Sequence, residues 1–229
     1  MRTIQEHICL SAVIPTLDAA EELPATLAAL RGSPLIGEIV VADGGSRDGT
    51  IAIARDAGVR VVDAPRGRGT QLAAGAAVAA GDWLFFVHAD CRPLPGWEDG
   101  VRDFIAASPE AAGYFALALD DDAPAARRLE RLVARRCRVL ALPYGDQGLL
   151  IPRALYDAAG GFAAMPLMED VDLARRLGRA RLKPVGATML ASARRYRRDG
   201  YRRRQLRNLA CLSLYFAGVS PARIARIYG

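Results

Sequence analysis

Apolar runs of strand length alternate with amphipathic segments of helix length through the first ninety residues. Ile8 to Ile14 is apolar at all positions but Ser11, the pattern of a strand buried on both faces of a parallel sheet. Pro15 ends it. From Asp18 the period becomes helical, with Leu23, Leu27 and Leu30 on one face and Asp18–Glu21 spaced like a capping box. "EIVVADGG" reads as the second strand, "GTIAIARDAG" as a helix, "VRVVDAP" as the third strand, "TQLAAGAAVAAG" as a small-residue helix and "DWLFFVHAD" as the fourth strand. Such strand–helix repeats predict βαβ units with right-handed crossovers, hence an α/β sandwich.

Beyond residue 95 the pattern is less regular. Trp97 to Ala107 reads as a helix, "GYFALALD" as a strand of possible antiparallel sense, and Ala125 to Leu140 as a long basic amphipathic helix. "GLLIPR" is a short strand, Glu169 to Leu177 a helix stopped by Gly178, and "ATMLASARR" a last strand. Leu206 to Ala217 and Pro221 to Tyr228 complete the pattern as helices. With no linker, one domain over residues 1–229 is expected: a nucleotide-binding half to about 95, an acceptor half to about 190, and basic helices after it.

Half the 229 residues are apolar, enough for a sizeable core. Four scattered cysteines without a CxxC spacing argue against a disulfide framework or zinc site and fit a reducing, cytoplasmic setting. The N-terminal stretch lacks a signal-peptide pattern. No apolar run approaches the ~20 residues that span a bilayer. Charge is uneven: Ser192 to Gly229 carries ten arginines against Asp199 alone, whereas the first 191 residues hold 21 basic and 24 acidic residues. The net +6 is therefore a property of the C-terminal stretch.

In an open parallel sheet, ligands gather at the carboxyl ends of strands, and polar residues fall there. They are Pro15-Thr16-Leu17-Asp18, Asp43-Gly44-Gly45-Ser46, Asp63 and His88-Ala89-Asp90. Asp43 before two glycines suits close backbone approach to a flat ring, with a carboxylate accepting from its N–H groups. "PRGRGTQLAAG" offers Arg66 and Arg68 among glycines, donors suited to a diphosphate. It has neither P-loop nor dinucleotide spacing. Asp90 suits a hard divalent ion, and His88 would favour Mn over Mg. In "PLMEDVDLARRLG", Glu169-Asp170 sits inside an apolar run at a helix start, where acids either cap the dipole or serve as a base.

"AVIPTLD", "VVADGGSRDGT", "GRGTQLAAGA", "GDWLFFVHAD" and "MEDVDLARRL" resemble, in order and spacing, the family-two glycosyltransferases of GT-A fold. "PYGDQGLLIPR…GGF…PLMEDVDL" with "ARRY" resembles the small bacterial subgroup associated with radical-SAM and selenodomain proteins. The resemblance implies a mostly parallel sheet flanked by helices and an inverting transfer from a nucleotide-diphosphate sugar to a hydroxyl. Asp43 would hold the base beside Pro15, Thr16 and Leu17. Arg66, Arg68 and Gln71 would lie near ribose and diphosphate. Asp90, with His88, would ligate Mg or Mn. Asp170 would be the general base, supported by Glu169, and Asp146, Gln147, Arg194 and Arg195 would face sugar or acceptor. His88 departs from the first acid of the family's DxD motif, and Asp18-Ala19 from its Asn-Glu.

The basic tail is open to three readings: a nucleic-acid patch, a helix lying on the inner face of an anionic membrane, or a packed helix whose Arg194 and Arg195 reach phosphates or an anionic acceptor. The rival functions are a nucleotidyltransferase and a non-catalytic basic protein of the membrane surface.

Overall fold

The structure, a computed structural model, describes residues 8–228, so most of the N-terminal stretch tested for a signal peptide lies outside the described residues. One eight-stranded sheet runs β3-β2-β1-β4-β7-β6-β8-β5. Its strands are β1 Leu10–Thr16, β2 Ile36–Asp43, β3 Arg60–Asp63, β4 Trp83–Phe86, β5 Cys91–Pro93, β6 Ala112–Leu119, β7 Leu149–Pro152 and β8 Leu182–Ala191. The helices are α1 Leu23–Arg31, α2 Thr50–Asp56, α3 Arg68–Val78, α4 Trp97–Ala107, α5 Pro124–Leu140, α6 Arg153–Ala158, α7 Glu169–Leu177, α8 Arg194–Asp199, α9 Tyr201–Phe216 and α10 Pro221–Tyr228. This is the expected mostly parallel sheet flanked by helices. Among the described residues no helix is long and apolar enough to cross a membrane.

β1 is buried at every position and lies between β2 and β4, parallel to both. Its alternate side chains feed two core layers: Leu10, Ala12 and Ile14 face one, Val13 the other, as the twofold strand period requires. α3 approaches the sheet closely because Gly75 has no side chain, since a Cβ there would stand 2.4 Å from Val13 Cγ1.

The reversed strands are β7, "GLLIPR", and the edge strand β5, rather than "GYFALALD". β7 pairs antiparallel with β4 and with β6, whereas β6 runs parallel to β8. This has a functional consequence. An antiparallel strand presents its start at the rim where its neighbours end, and Phe86 at the end of β4 pairs with Leu149 at the start of β7. The Tyr144–Gln147 turn is thereby delivered beside His88 and Asp90.

Several boundaries differ from the sequence-based ones. Asp18 does not cap a helix: it adopts φ +49°, its carboxylate accepts from the Arg47 amide, and its own amide donates to Ser46 Oγ. α1 starts at Leu23, with Pro24 in its first turn. β4 stops at Phe86, leaving His88 to Asp90 in a turn, and Cys91–Pro93 forms the unanticipated β5 against β8. The last strand begins earlier and ends at Ala191, so Arg194 and Arg195 open α8. α9 begins at Tyr201, ahead of the apolar periodicity at Leu206.

Candidate active site

The rim at the ends of β1, β2 and β4 carries a cleft of about 700 Å³, lined among others by Pro15, Thr16, Leu17, Arg66, Arg68, Gln71, His88 and Asp90. The expected donor-side residues therefore converge, with one exception. Asp43 is 1% exposed and does not line the cleft. Its carboxylate accepts from the Thr16 and Ser46 hydroxyls and the Gly45 and Ser46 amides. A carboxylate has about four acceptor sites, so all are occupied internally. Burial pushes Asp43 up, but these four donors outweigh it and hold the carboxyl below its usual range. In this structure Asp43 shapes the Gly44-Gly45-Ser46 turn rather than lining the cleft.

Gln71 is likewise buried, and its amide donates to the Thr16 and Ala42 carbonyls at 2.6 and 3.1 Å. It ties the ends of β1 and β2 together under the cleft floor. Thr26 on α1, which carries no sequence signal of its own, does the same for the next turn, donating to the Ala89 and Cys91 carbonyls. That anchors the His88–Asp90 turn against the core.

A second, smaller cavity of about 110 Å³ adjoins the cleft, with Arg68, His88, Asp90 and Arg195 among the residues common to both. Asp146 and Asp170 line it. Asp170 stands in the first turn of α7; its carboxylate accepts from the Gly145 amide at 2.8 Å and from the Val171 amide. Gly145 is pressed between this contact and the His88 ring, where a Cβ would fall 2.4 Å from Nε2. Burial and the neighbouring Arg68 depress His88, so its imidazole is neutral near pH 7. Asp146 Oδ1 is buried without a partner. Burial raises its carboxyl to about 6, with Asp170 and Asp90 adding to the effect and Arg136 opposing it.

Glu169 points the other way. It is fully buried, and Arg68 Nη1 lies 3.3 Å from its Oε1. Burial pushes its carboxyl well above the usual range, and Arg68 only partly draws it back. The approach is allowed by Gly69, where a Cβ would fall 2.2 Å from the Ala163 carbonyl oxygen and 3.1 Å from Glu169 Cβ. Met168, just before the pair, takes φ +69°, a costly conformation for a non-glycine residue. Asp172 is structural: it pairs with Arg176 at 2.6 Å and accepts from the Tyr215 hydroxyl.

Two expected residues are not brought to the cavity. Gln147 is 1% exposed and spends its amide on the Phe115 carbonyl and on Arg136. Arg194 turns outward to Glu21 and Glu22. Arg195 does line the cavity, and its guanidinium has no ion-pair or hydrogen-bond partner among the described residues. Arg204 and Tyr228, from the C-terminal helices, join it and bond to each other at 2.8 Å. Their signal was present only as the basic tail, without a spacing that aimed it at the site.

His88, Asp90 and Cys91 present ligand atoms within 4.8 Å of one another. The imidazole nitrogen and the carboxylate oxygen suit a divalent cation, whereas burial pushes the Cys91 thiol up and leaves it protonated, a poor ligand.

Residues 11–166 match the sequence profile of glycosyl transferase family 2. No curated protein matches the chain in sequence. Among solved structures, glucosyl-3-phosphoglycerate synthase from Mycobacterium tuberculosis, in complex with Mn2+, UDP and glucosyl-3-phosphoglycerate, superposes with a TM-score of 0.56 at 20% identity, over 80% of this chain and 70% of that one. Mannosyl-3-phosphoglycerate synthase from Rubrobacter xylanophilus gives 0.59 at 20% identity, over 93% and 76%. S. aureus TarS residues 1–349 give 0.61 at 15% identity, over 96% and 69%. At such identities the likeness is one of fold.

Proposed function

The chain belongs to glycosyl transferase family 2, and from that premise we propose that it transfers a sugar from a nucleotide-diphosphate donor to an acceptor hydroxyl with inversion. The observation that carries this reading is the placement of Asp170. Its carboxylate is fixed by the Gly145 amide in the smaller cavity, which adjoins a cleft holding Arg66, Arg68 and Asp90.

In this reading Pro15, Thr16 and Leu17 bound the base, and Arg66 and Arg68 receive the diphosphate as bidentate donors. Asp43 and Gln71 act by setting the turn and the strand ends on which the nucleotide rests. His88 and Asp90, with the Cys91 thiol alongside, would hold the divalent cation, and the nitrogen donor favours Mn2+ over Mg2+. The Mycobacterium tuberculosis synthase structure contains Mn2+ and UDP, which supports the pairing of cation and nucleotide. When bound, the cation supplies Lewis-acid neutralisation of charge on the leaving diphosphate. Asp170 accepts the acceptor hydroxyl's proton as that oxygen attacks the anomeric carbon, which requires base and leaving group on opposite sides. Asp146 and Arg195 face the same space and orient sugar or acceptor.

A nucleotide-release screen over UDP- and GDP-sugars with Mn2+ tests the activity. Thermal unfolding with the same nucleotides tests binding independently. Asp170→Asn is expected to keep the nucleotide-induced thermal shift while turnover falls by about 10²–10⁴. Turnover within tenfold of the parent removes Asp170 as base. The absence of a shift with any nucleotide, with or without cation, removes the donor reading itself.

A further inference from the structure

Among the described residues, all seven large apolar side chains that stand exposed lie on three helices: Leu132, Val139 and Leu140 on α5, Leu206, Leu209 and Phe216 on α9, and Ile227 on α10. Leu206 is 68% exposed, Leu209 59% and Phe216 51%. Elsewhere among the described residues no large apolar side chain stands exposed, and such clustering marks an interaction surface.

α5 and α9 lie side by side. Their starts are tied together: the hydroxyl of Tyr201, the first residue of α9, donates at 2.7 Å to the carboxylate of Asp121, two residues before the α5 cap. Both end near α7 and the turn after it: the Arg175 guanidinium lies 5.2 Å over the Phe216 ring, and Arg179 donates to the Arg138 and Val139 carbonyls. On α9, positions 206, 209 and 216 fall on one stripe; on α5, 132 and 139 do the same two turns apart. With the two helices adjacent, both stripes stand exposed. Arg128, Arg131 and Arg135 rise from α5 and Arg202 and Arg203 from α9, all exposed and without a side-chain partner among the described residues. α9 and α10 contain no acid at all, and the one acid of α5, Glu130, is paired with Arg127.

We propose that this α5–α9 face docks on an anionic phospholipid bilayer, with Leu206, Leu209 and Phe216 entering the acyl boundary and the flanking arginines resting at the headgroups. The chemistry selects this occupant. A second copy of the chain would bring two unpaired arginine fields together, which is repulsive. A nucleic-acid backbone would satisfy the arginines but leave the central leucines and phenylalanine without an apolar partner. Only an acidic surface with hydrocarbon beneath it meets both halves of the pattern. The proposal does not depend on the glycosyl-transfer reading, although α9 and α10 also supply Arg204 and Tyr228 to the cavity wall.

Vesicle flotation of the full chain tests it, with vesicles of phosphatidylglycerol mixed into phosphatidylcholine against phosphatidylcholine alone. Binding is expected only to the anionic vesicles and to weaken with salt. Leu206→Glu with Leu209→Glu should lower the partition coefficient by at least about tenfold. Arg131→Glu with Arg135→Glu should lower it by about fivefold or more per residue. Because these side chains are exposed, unchanged thermal unfolding and an unchanged nucleotide-induced shift establish that the variants are folded. No binding at low salt overturns the proposal, as does binding indifferent to the leucine substitutions. So does retention on duplex nucleic acid in preference to vesicles. Light scattering showing a dimer that Leu206→Glu with Leu209→Glu dissociates would assign the face to a second copy.

Discussion

Asp146 supplies the sharpest test of how the cavity is wired, because its carboxylate is half committed to the interior. One oxygen is buried with no partner, and burial lifts the group from 3.8 in the unfolded chain to about 6 in the fold. A folded value above the unfolded one means stability that is full below 3.8 and is lost as pH rises through about 6. Asn has the same shape and never ionises, so Asp146→Asn escapes the loss. The variant should match the parent near about pH 4 and exceed it increasingly toward about pH 7. At about 1.4 kcal/mol for each pH unit between the two values, the difference is worth about 3 kcal/mol at most. The cavity adjoins the open cleft, and solvent screening there brings the lower bound to about half of that, about 1.5 kcal/mol. For a chain of this size the gain is roughly 3–10 °C in Tm near neutral pH. Urea unfolding of both proteins across that range, without nucleotide or metal, measures the gap directly. A gap that stays flat to within about 0.5 kcal/mol would show Asp146 to be solvated, and the burial argument for it would be wrong.

Three other perturbations probe the supports of the site. Gly145→Ala places a methyl 2.4 Å from His88 Nε2, so the ring and the amide that holds Asp170 must separate. A cost of about 1–3 kcal/mol with at least a tenfold fall in turnover is expected, and full activity would show that the turn relaxes freely. Arg68→Met strips the cation from fully buried Glu169 and should cost about 3–5 kcal/mol above neutral pH. The cost should shrink in acid as Glu169 takes a proton, and a second substitution, Glu169→Gln, should restore most of it; a double variant no better than the single one would refute the pairing. Gln71→Ala removes the side-chain donor to the Thr16 and Ala42 carbonyls, leaving Thr16 only the Gly44 amide, and should cost about 1–3 kcal/mol in urea unfolding, with weakened nucleotide binding; unchanged affinity would separate the strand-end clamp from the cleft.

How much of this was legible depended on whether the determinant was local. Trp97–Ala107, Glu169–Leu177 and Pro221–Tyr228 are helices with the bounds expected, because amphipathic period and a flanking Gly or Pro act within a few residues. β5 spans three residues and exists only through β8, almost a hundred positions later. No window around Cys91 could reveal it. The direction of β7 is likewise set by which strands it enters between, and that direction decides that Tyr144 to Asp146 meets His88. Asp43 was legible as a strand-end carboxylate, but its four donors come from residues 16, 45 and 46, so its saturation is a tertiary fact. Arg194 and Arg195 look equivalent in "ARRY", yet they stand about 100° apart on α8. One meets Glu21 and Glu22 while the other lines the cavity.

The same geometry separates the two acids at the start of α7. Successive helical positions diverge by about 100°, so Glu169 and Asp170 take different partners. Glu169 is turned into the core, where Arg68 is its ion-pair partner. Asp170 is turned into the cavity and held by an amide. A base that must take a proton needs an acceptor already aimed and partly hydrogen-bonded, and Asp170 has that. A carboxylate buried against an arginine instead fixes the arginine, and Arg68 lines both the cleft and the cavity. In the proposed mechanism the adjacent acids therefore have divided duties: Asp170 takes the proton, and Glu169 holds the guanidinium of Arg68, which lines both the cleft and the cavity. Capping of the helix dipole by Asp170, through the Val171 amide, accompanies this arrangement without explaining it, since a single acid would cap α7 equally well.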